Sequence, residues 1–162
     1  MHSFRKLLNR INSLVELIVS AMLLVMVAVI FLQVIFRFVL HSSLPWSEEL
    51  SRYLLVWISF LGASIGVKRK SHIGVEFLVS LFPKGWKKGA EFFVSAASCV
   101  FFATLVIYGR LILRTVGMQL SPAMEISMAL PYSSILAGGA LMLIYSAFQM
   151  AEILTGREAE VS

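Results

Sequence analysis

The 162-residue chain is 59% hydrophobic and only 14% charged, with a mean hydropathy of +0.86, which excludes an ordinary soluble domain and points to an integral membrane protein. Its net charge of +5 does not indicate a nucleic-acid partner, because the bases cluster at the ends of apolar runs and form no stripe on a polar surface. Cys99 is the only cysteine and lies inside an apolar run, so no intrachain disulfide or cysteine metal site is available and it reads as a small buried hydrophobe.

Arg5, Lys6 and Arg10 precede an uncharged run from Leu17 to Phe36. A secretory signal has roughly 7 to 15 apolar residues before a small-residue cleavage site. This run is longer and leads instead into Arg37 and Phe38, so it predicts a first transmembrane helix over 14–40. His41 to Leu44 form a loop short enough to send the next helix back antiparallel. Pro45 fixes the backbone where that helix opens, and Glu48 and Glu49 fall in or beside its first turn, where the helix dipole favours negative charge. Arg52 follows Glu48 by four residues and Glu49 by three, so the three head groups are expected to meet on one helix face. From Tyr53 to Val67 there is no charge, and the run ends in Lys68, Arg69 and Lys70, which sets a second span over 46–67. Trp46 fits an aromatic belt at the entry, whereas Trp57 sits deeper and reads as a packing residue.

Ile73, Phe77, Leu78, Leu81 and Phe82 share one helical sector, with Glu76 and Ser80 opposite. That segment is too short to span and predicts an interfacial amphipathic helix over 72–82. Lys84, Lys87 and Lys88 lead into a third span over 89–113, closed by Arg110 and Arg114. Residues 115–128 form a mixed connection, read as a loop or a short surface helix, and a fourth span follows over 130–151, with Pro131 tolerated in or near its first turn. The expected fold class is therefore all-α: one membrane domain over 1–162, a four-transmembrane-helix bundle with a short interfacial helix between spans two and three. Placing the N-terminus in the cytoplasm puts ten bases on that side (Arg5, Lys6, Arg10, Lys68, Arg69, Lys70, Lys84, Lys87, Lys88 and Arg157). Both termini are accordingly predicted to be cytoplasmic.

A transporter or pump usually carries an ionisable or coordinating group near the bilayer midplane. The expected midpoints here hold Val27, Ser59 with Gly62, Phe101 with Thr104, and Gly138 with Gly139. His2, His41 and His72 sit in different end regions and cannot face one iron. No spacing suggests a nucleophilic site, and there is no glycine-rich phosphate loop. No catalytic, metal-binding or cofactor-binding residue is expected, and the chain does not read as an enzyme. What the spans do contain is small-residue surface: Gly62 and Gly66 make a GxxxG, Ser134 and Gly138 repeat that spacing, and Ser95 to Cys99 form a small patch. Whether the neighbour is in the chain or in another subunit is left open by the sequence. Arg37, Glu48, Glu49 and Arg52 read either as helix ends with snorkelling arginines and a local ion pair, or as a polar contact between the first hairpin and a partner subunit. Lys68, Arg69, Lys70, His72, Lys84, Lys87 and Lys88 read as topology anchors or as contacts to lipid head groups.

The order of Arg37, then Pro45-Trp46-Ser47-Glu48-Glu49-Leu50-Ser51-Arg52, Trp57, Phe60-Leu61-Gly62-Ala63, basic residues and His72-Ile73 resembles the small membrane (Q) subunit of TRAP transporters, the tripartite ATP-independent periplasmic transporters. The resemblance runs over essentially the whole chain, including Ser121-Pro122-Ala123 and Leu130-Pro131 leading into the fourth span. It implies a bacterial inner-membrane location and a role without chemistry of its own. In that family a soluble periplasmic (P) protein captures an organic acid and delivers it to a complex whose large M subunit carries substrate and sodium by an elevator motion. The small subunit is then a scaffold, with Arg37, Trp46, Glu48, Glu49, Arg52, Trp57, Gly62 and Gly66 as structural or subunit-interface positions. The substrate is left undecided among C4-dicarboxylates, sialic acid, sulfonates and other carboxylates. Two other classes remain, a self-sufficient homo-oligomeric small-molecule transporter and a membrane anchor for a redox enzyme. The first lacks its expected membrane carboxylate, since Glu16 is only near one end of the first span, and the second lacks haem ligands.

Overall fold

The structure is a computed structural model that describes residues 2–69 and 84–155. It consists of four long helices, α1 His2–Phe38, α2 Pro45–Lys68, α3 Lys84–Val116 and α4 Ala129–Leu154, each long and apolar enough to cross a membrane. The interfacial helix expected over 72–82 lies outside the described residues. Helix α1 begins a dozen residues before the expected start at 14, because its N-terminal stretch continues an apolar stripe that buries Leu8 as well as Val15. At 37 residues it measures about 55 Å, against about 30 Å of hydrocarbon. His41 takes a left-handed conformation (φ 50°) at its end, which lets the Ser42 N–H reach back to the Phe36 carbonyl at 3.0 Å and stops the helix. Pro45 then opens α2 where its missing N–H costs nothing. Helix α3 likewise starts earlier than expected, at Lys84.

The helices alternate in direction but do not close into a bundle. In space the order is α1, α2, α4, α3: α1 packs on α2, α2 on α4 and α4 on α3, with no substantial contact between non-neighbours. The expected four-transmembrane-helix arrangement takes the form of this open row among the described residues. Lipid tails are as apolar as leucine, so nothing drives the outer helices to curl together and hide their remaining faces. Of the two inner helices α4 is the more covered, whereas α1 leaves most of its surface bare.

The contacts follow a seven-residue rhythm. On α1 the buried and half-buried positions include Leu8, Asn12, Val15, Val19, Met22, Met26, Val29, Gln33 and Phe36, alternating steps of four and three. Such a 3.5-residue repeat keeps one seam on a neighbour through a left-handed supercoil. Opposite the seam, Leu17, Leu24, Phe31 and Phe38 are all about 70% exposed. On α3 the covered positions Ser95, Cys99, Phe102, Val106 and Gly109 keep the same rhythm against α4. The Cys99 thiol there donates to Ser146 Oγ at 3.3 Å, and the Ser146 hydroxyl to the Ser95 carbonyl at 3.4 Å.

Two consecutive glycines let α4 serve both neighbours. A Cβ on Gly138 would sit 2.7 Å from Phe60 Cβ and from the Phe60 carbonyl oxygen of α2, while one on Gly139 would meet Val106 and Leu105 of α3 at ordinary contact distance. The GxxxG glycines Gly62 and Gly66 have nothing within 4 Å, so they face away from every in-chain neighbour. Gly138→Ala is therefore expected to push α2 off α4 and to cost roughly 1–3 kcal/mol. Gly62→Ala should stay within about 0.5 kcal/mol of the wild type. Unfolding midpoints in mild detergent, followed by tryptophan fluorescence, test the contrast. Equal effects at the two sites would contradict this packing.

Candidate functional site

Polar side chains gather at both ends of the row. On the side that carries the α1–α2 turn, called here the hairpin side, α2 starts without a side-chain cap from Leu44. Ser47 instead turns its N–H and its hydroxyl back on the Leu44 carbonyl, at 3.1 and 2.7 Å. From this fixed turn the two carboxylates leave in different directions, since successive residues lie about 100° apart around a helix. Glu48 faces out and meets Arg52 at 3.5 Å, with both side chains more than two-thirds exposed, a geometry that contributes little stability. Glu49 is buried. One of its oxygens accepts the Tyr53 hydroxyl, and the other accepts the backbone N–H groups of Ala123 at 2.8 Å and Met124 at 3.0 Å.

Glu49 is thus bound to a turn 74 and 75 residues away. The expected meeting of Glu48, Glu49 and Arg52 on one face does not occur, because two adjacent amides offer Glu49 a charge-matched seat that Arg52 cannot reach. The connection over 117–128 contains no helix. Its Ser121 N–H donates to the Ile126 carbonyl at 2.8 Å and its Met128 N–H to the Gln119 carbonyl at 2.9 Å. The Ser127 hydroxyl donates to the Gly117 carbonyl at 2.8 Å. Glu125 adopts φ 55°, the left-handed conformation that folds this segment back on itself. Tyr53 reaches the same region, its hydroxyl 3.3 Å from Met128 Sδ. Trp57 donates its indole N–H to the Leu130 carbonyl at 3.2 Å, tying α2 to the first turn of α4, while Trp46 stays partly exposed at the helix entry. Arg37 lies over the Phe38 ring at 5.9 Å and, among the described residues, has no ion pair with the glutamates.

The opposite, N-terminal side holds a second junction. Lys68 Nζ donates to the Leu8 carbonyl at 3.1 Å and to Asn9 Oδ1 at 2.7 Å, and it sits 5.8 Å from the centre of the Tyr145 ring. Arg69 pairs with Glu16 at 2.7 Å, and Glu16 also accepts from Asn12 Nδ2 at 2.6 Å. Gln149 of α4 donates to the Val67 carbonyl at 2.7 Å, satisfying an acceptor at the end of α2 where hydrocarbon supplies no water. Asn9, Asn12, Tyr145 and Gln149 escaped the sequence reading, which placed Glu16 only near one end of the first span. The signal for Asn12 was a polar residue placed on a mostly apolar seam. Of the expected basic anchors, Lys70 and His72 and the side chains of Lys84, Lys87 and Lys88 lie outside the described residues. No group of three metal-ligating side chains is present among the described residues.

Two tied ends around four apolar spans suit a membrane subunit. The profile described as "Tripartite ATP-independent periplasmic transporters, DctQ component" matches residues 26–156. The chain belongs to this family. DctQ proteins are the small permease subunits of TRAP transporters, a transporter family and not an enzyme family. Among DctQ relatives, the C4-dicarboxylate TRAP transporter small permease protein DctQ of Vibrio cholerae is 31% identical over 98 residues, covering 60% of this chain and 42% of the relative. The sialic acid TRAP transporter permease protein SiaT of Haemophilus influenzae is 31% identical over 99 residues, 61% of this chain and 16% of that protein. The isethionate TRAP transporter permease protein DctMQ of Oleidesulfovibrio alaskensis is 27% identical over 121 residues, 66% of this chain and 19% of that protein. The matched stretch thus spans less than half the length of these three relatives.

In this DctQ chain the Glu49 seat generates a prediction. Glu49→Ala leaves the Ala123 and Met124 amides without their acceptor and should free the 117–128 segment. A cysteine placed at Ala123 is expected to react with a water-soluble maleimide roughly tenfold faster in the Glu49→Ala background. Glu48→Ala should leave the rate unchanged, and an equal rate in both backgrounds would show that Glu49 does not hold the segment.

Proposed function

We propose that this chain is the non-catalytic small subunit of a sodium-coupled, binding-protein-dependent transporter for an organic acid. It forms one membrane domain and stands as a fixed support beside a larger elevator-type permease subunit. The observation that carries the reading is the DctMQ relative: a stretch similar to this chain makes up only 19% of a TRAP permease polypeptide, which favours physical association between a segment of this type and a much larger permease. Membership of the DctQ family supports a periplasmic substrate-binding protein as the third component. The relatives' substrates, a C4-dicarboxylate, sialic acid and isethionate, are all small organic anions, and that class is the one proposed here.

The distribution of polar groups agrees with a support. Both junctions lie at helix ends, where they fix the helices relative to one another, and the midplane positions carry only small or apolar side chains with Ser59 and Thr104. A moving carrier needs a substrate-coordinating group at that depth and a helix able to break around it. The exposed Glu48–Arg52 pair, Arg37, Trp46 and the open Gly62–Gly66 face of α2 are the proposed contacts with the large subunit. The basic residues at the N-terminal side favour a cytoplasmic location for both termini in the bacterial inner membrane.

The reading is tested by tagging the chain, expressing it with its native operon and isolating it in mild detergent. One larger polytopic protein is expected in near-equal amount. Recovery of the chain alone, as a homo-oligomer, would contradict the proposal. In proteoliposomes, Arg52→Ala should lower uptake without changing which anions compete, and a changed competition profile would mean that this subunit selects substrate.

A further inference from the structure

The junction on the N-terminal side gathers more positive charge than its own carboxylate neutralises. Arg5, Asn9, Asn12 and Glu16 follow one another at steps of four, three and four along one face of α1. The end of α2 lays Lys68 and Arg69 against that face. Arg5 stands one turn beyond Asn9 and within Coulombic range of Lys68. Among the described residues three cations therefore share one carboxylate, Glu16.

Their donors are unequally committed. Lys68 is engaged internally, by the Leu8 carbonyl, Asn9 Oδ1 and the Tyr145 ring. Arg69 uses one terminal nitrogen on Glu16, and with its side chain 62% exposed it presents the rest of a five-donor fork outward. Arg5 is exposed and has no ion pair among the described residues. The depth of the site narrows the anion. The uncharged run of α1 begins at Leu17 and that of α2 ends at Val67, so the Glu16–Arg69 pair marks the level where hydrocarbon gives way to head groups. Further along the same face of α1, toward the hydrocarbon, Leu23 and Val27, 46% and 56% exposed, offer an apolar surface to an acyl chain.

We propose that Arg69 and Arg5 bind the phosphodiester of an anionic phospholipid in the leaflet on the N-terminal side, with Lys68 supplying a fixed background charge. Planar guanidinium forks suit phosphate oxygens, and two of them on adjacent helices would bridge α1 to α2 through the lipid. Lipid binding here is a property of this chain and does not depend on its role in transport.

The test uses the full chain with its co-purified partners, delipidated and titrated with phosphatidylglycerol or phosphatidylcholine under native mass spectrometry. Phosphatidylglycerol is expected to bind preferentially by roughly tenfold or more. Arg5→Gln with Arg69→Gln should remove most of that preference, Arg5→Lys with Arg69→Lys should keep much of it, and Glu16→Gln, which frees Arg69, should raise it. Arg114→Gln, at the other end of α3, should leave it unaltered. Equal binding of the two lipids, or a preference that survives Arg5→Gln with Arg69→Gln, would overturn the proposal. Displacement of the lipid by millimolar inorganic phosphate would assign the site to a soluble anion and overturn it as well.

Discussion

The arrangement of the whole chain depends on how closely α2 and α4 approach. Phe60 of α2 lies directly on Gly138, where no side chain of any size fits without movement. That contact brings Trp57 within reach of Leu130 on one side of the membrane and Gln149 within reach of Val67 on the other. Gly139, turned about 100° further round the same helix, receives α3. In hydrocarbon there is no water to expel between helices, so packing distance and polar links must supply the association. Small residues at the centre and polar residues at the ends divide that work.

The ends add precision where the centre provides only proximity. A helix terminus leaves several amides or carbonyls without partners, and at a membrane surface each needs an explicit partner. Glu49 answers this for the α3–α4 connection by accepting two successive amides. Gln149 answers it for the last carbonyls of α2. Helix α2 is thereby tied to the α3–α4 connection at one surface and to α4 at the other.

The helices were legible because their signal is local. Long uncharged runs bracketed by Arg10, Arg37, Lys68 and Arg110, with Pro45 and Pro131 at helix starts, locate the end of α1 and both ends of α2 and α4 within a few residues. The starts of α1 and α3 were placed too late because charged residues such as Arg10 and Lys87 can continue a helix beyond the hydrocarbon. The side-chain junctions were less legible. Glu49 has Arg52 three residues away, and nothing in the intervening sequence announces that amides 74 residues on are its partners. Gly62 and Gly66 carried the stronger motif, yet the close approach is at Gly138, since spacing shows that a face is smooth and cannot show what lies on it. The heptad on α1 could have been counted from the sequence, and with it the inward position of Asn12.

A closed ring of helices encloses a space, whereas a row encloses nothing. With α1 and α3 at its edges and α2 and α4 between them, the described part of this chain has two broad sides. By themselves the described helices wall off no space from lipid. A neighbour seated against it meets one of those two sides, a surface of mostly apolar side chains.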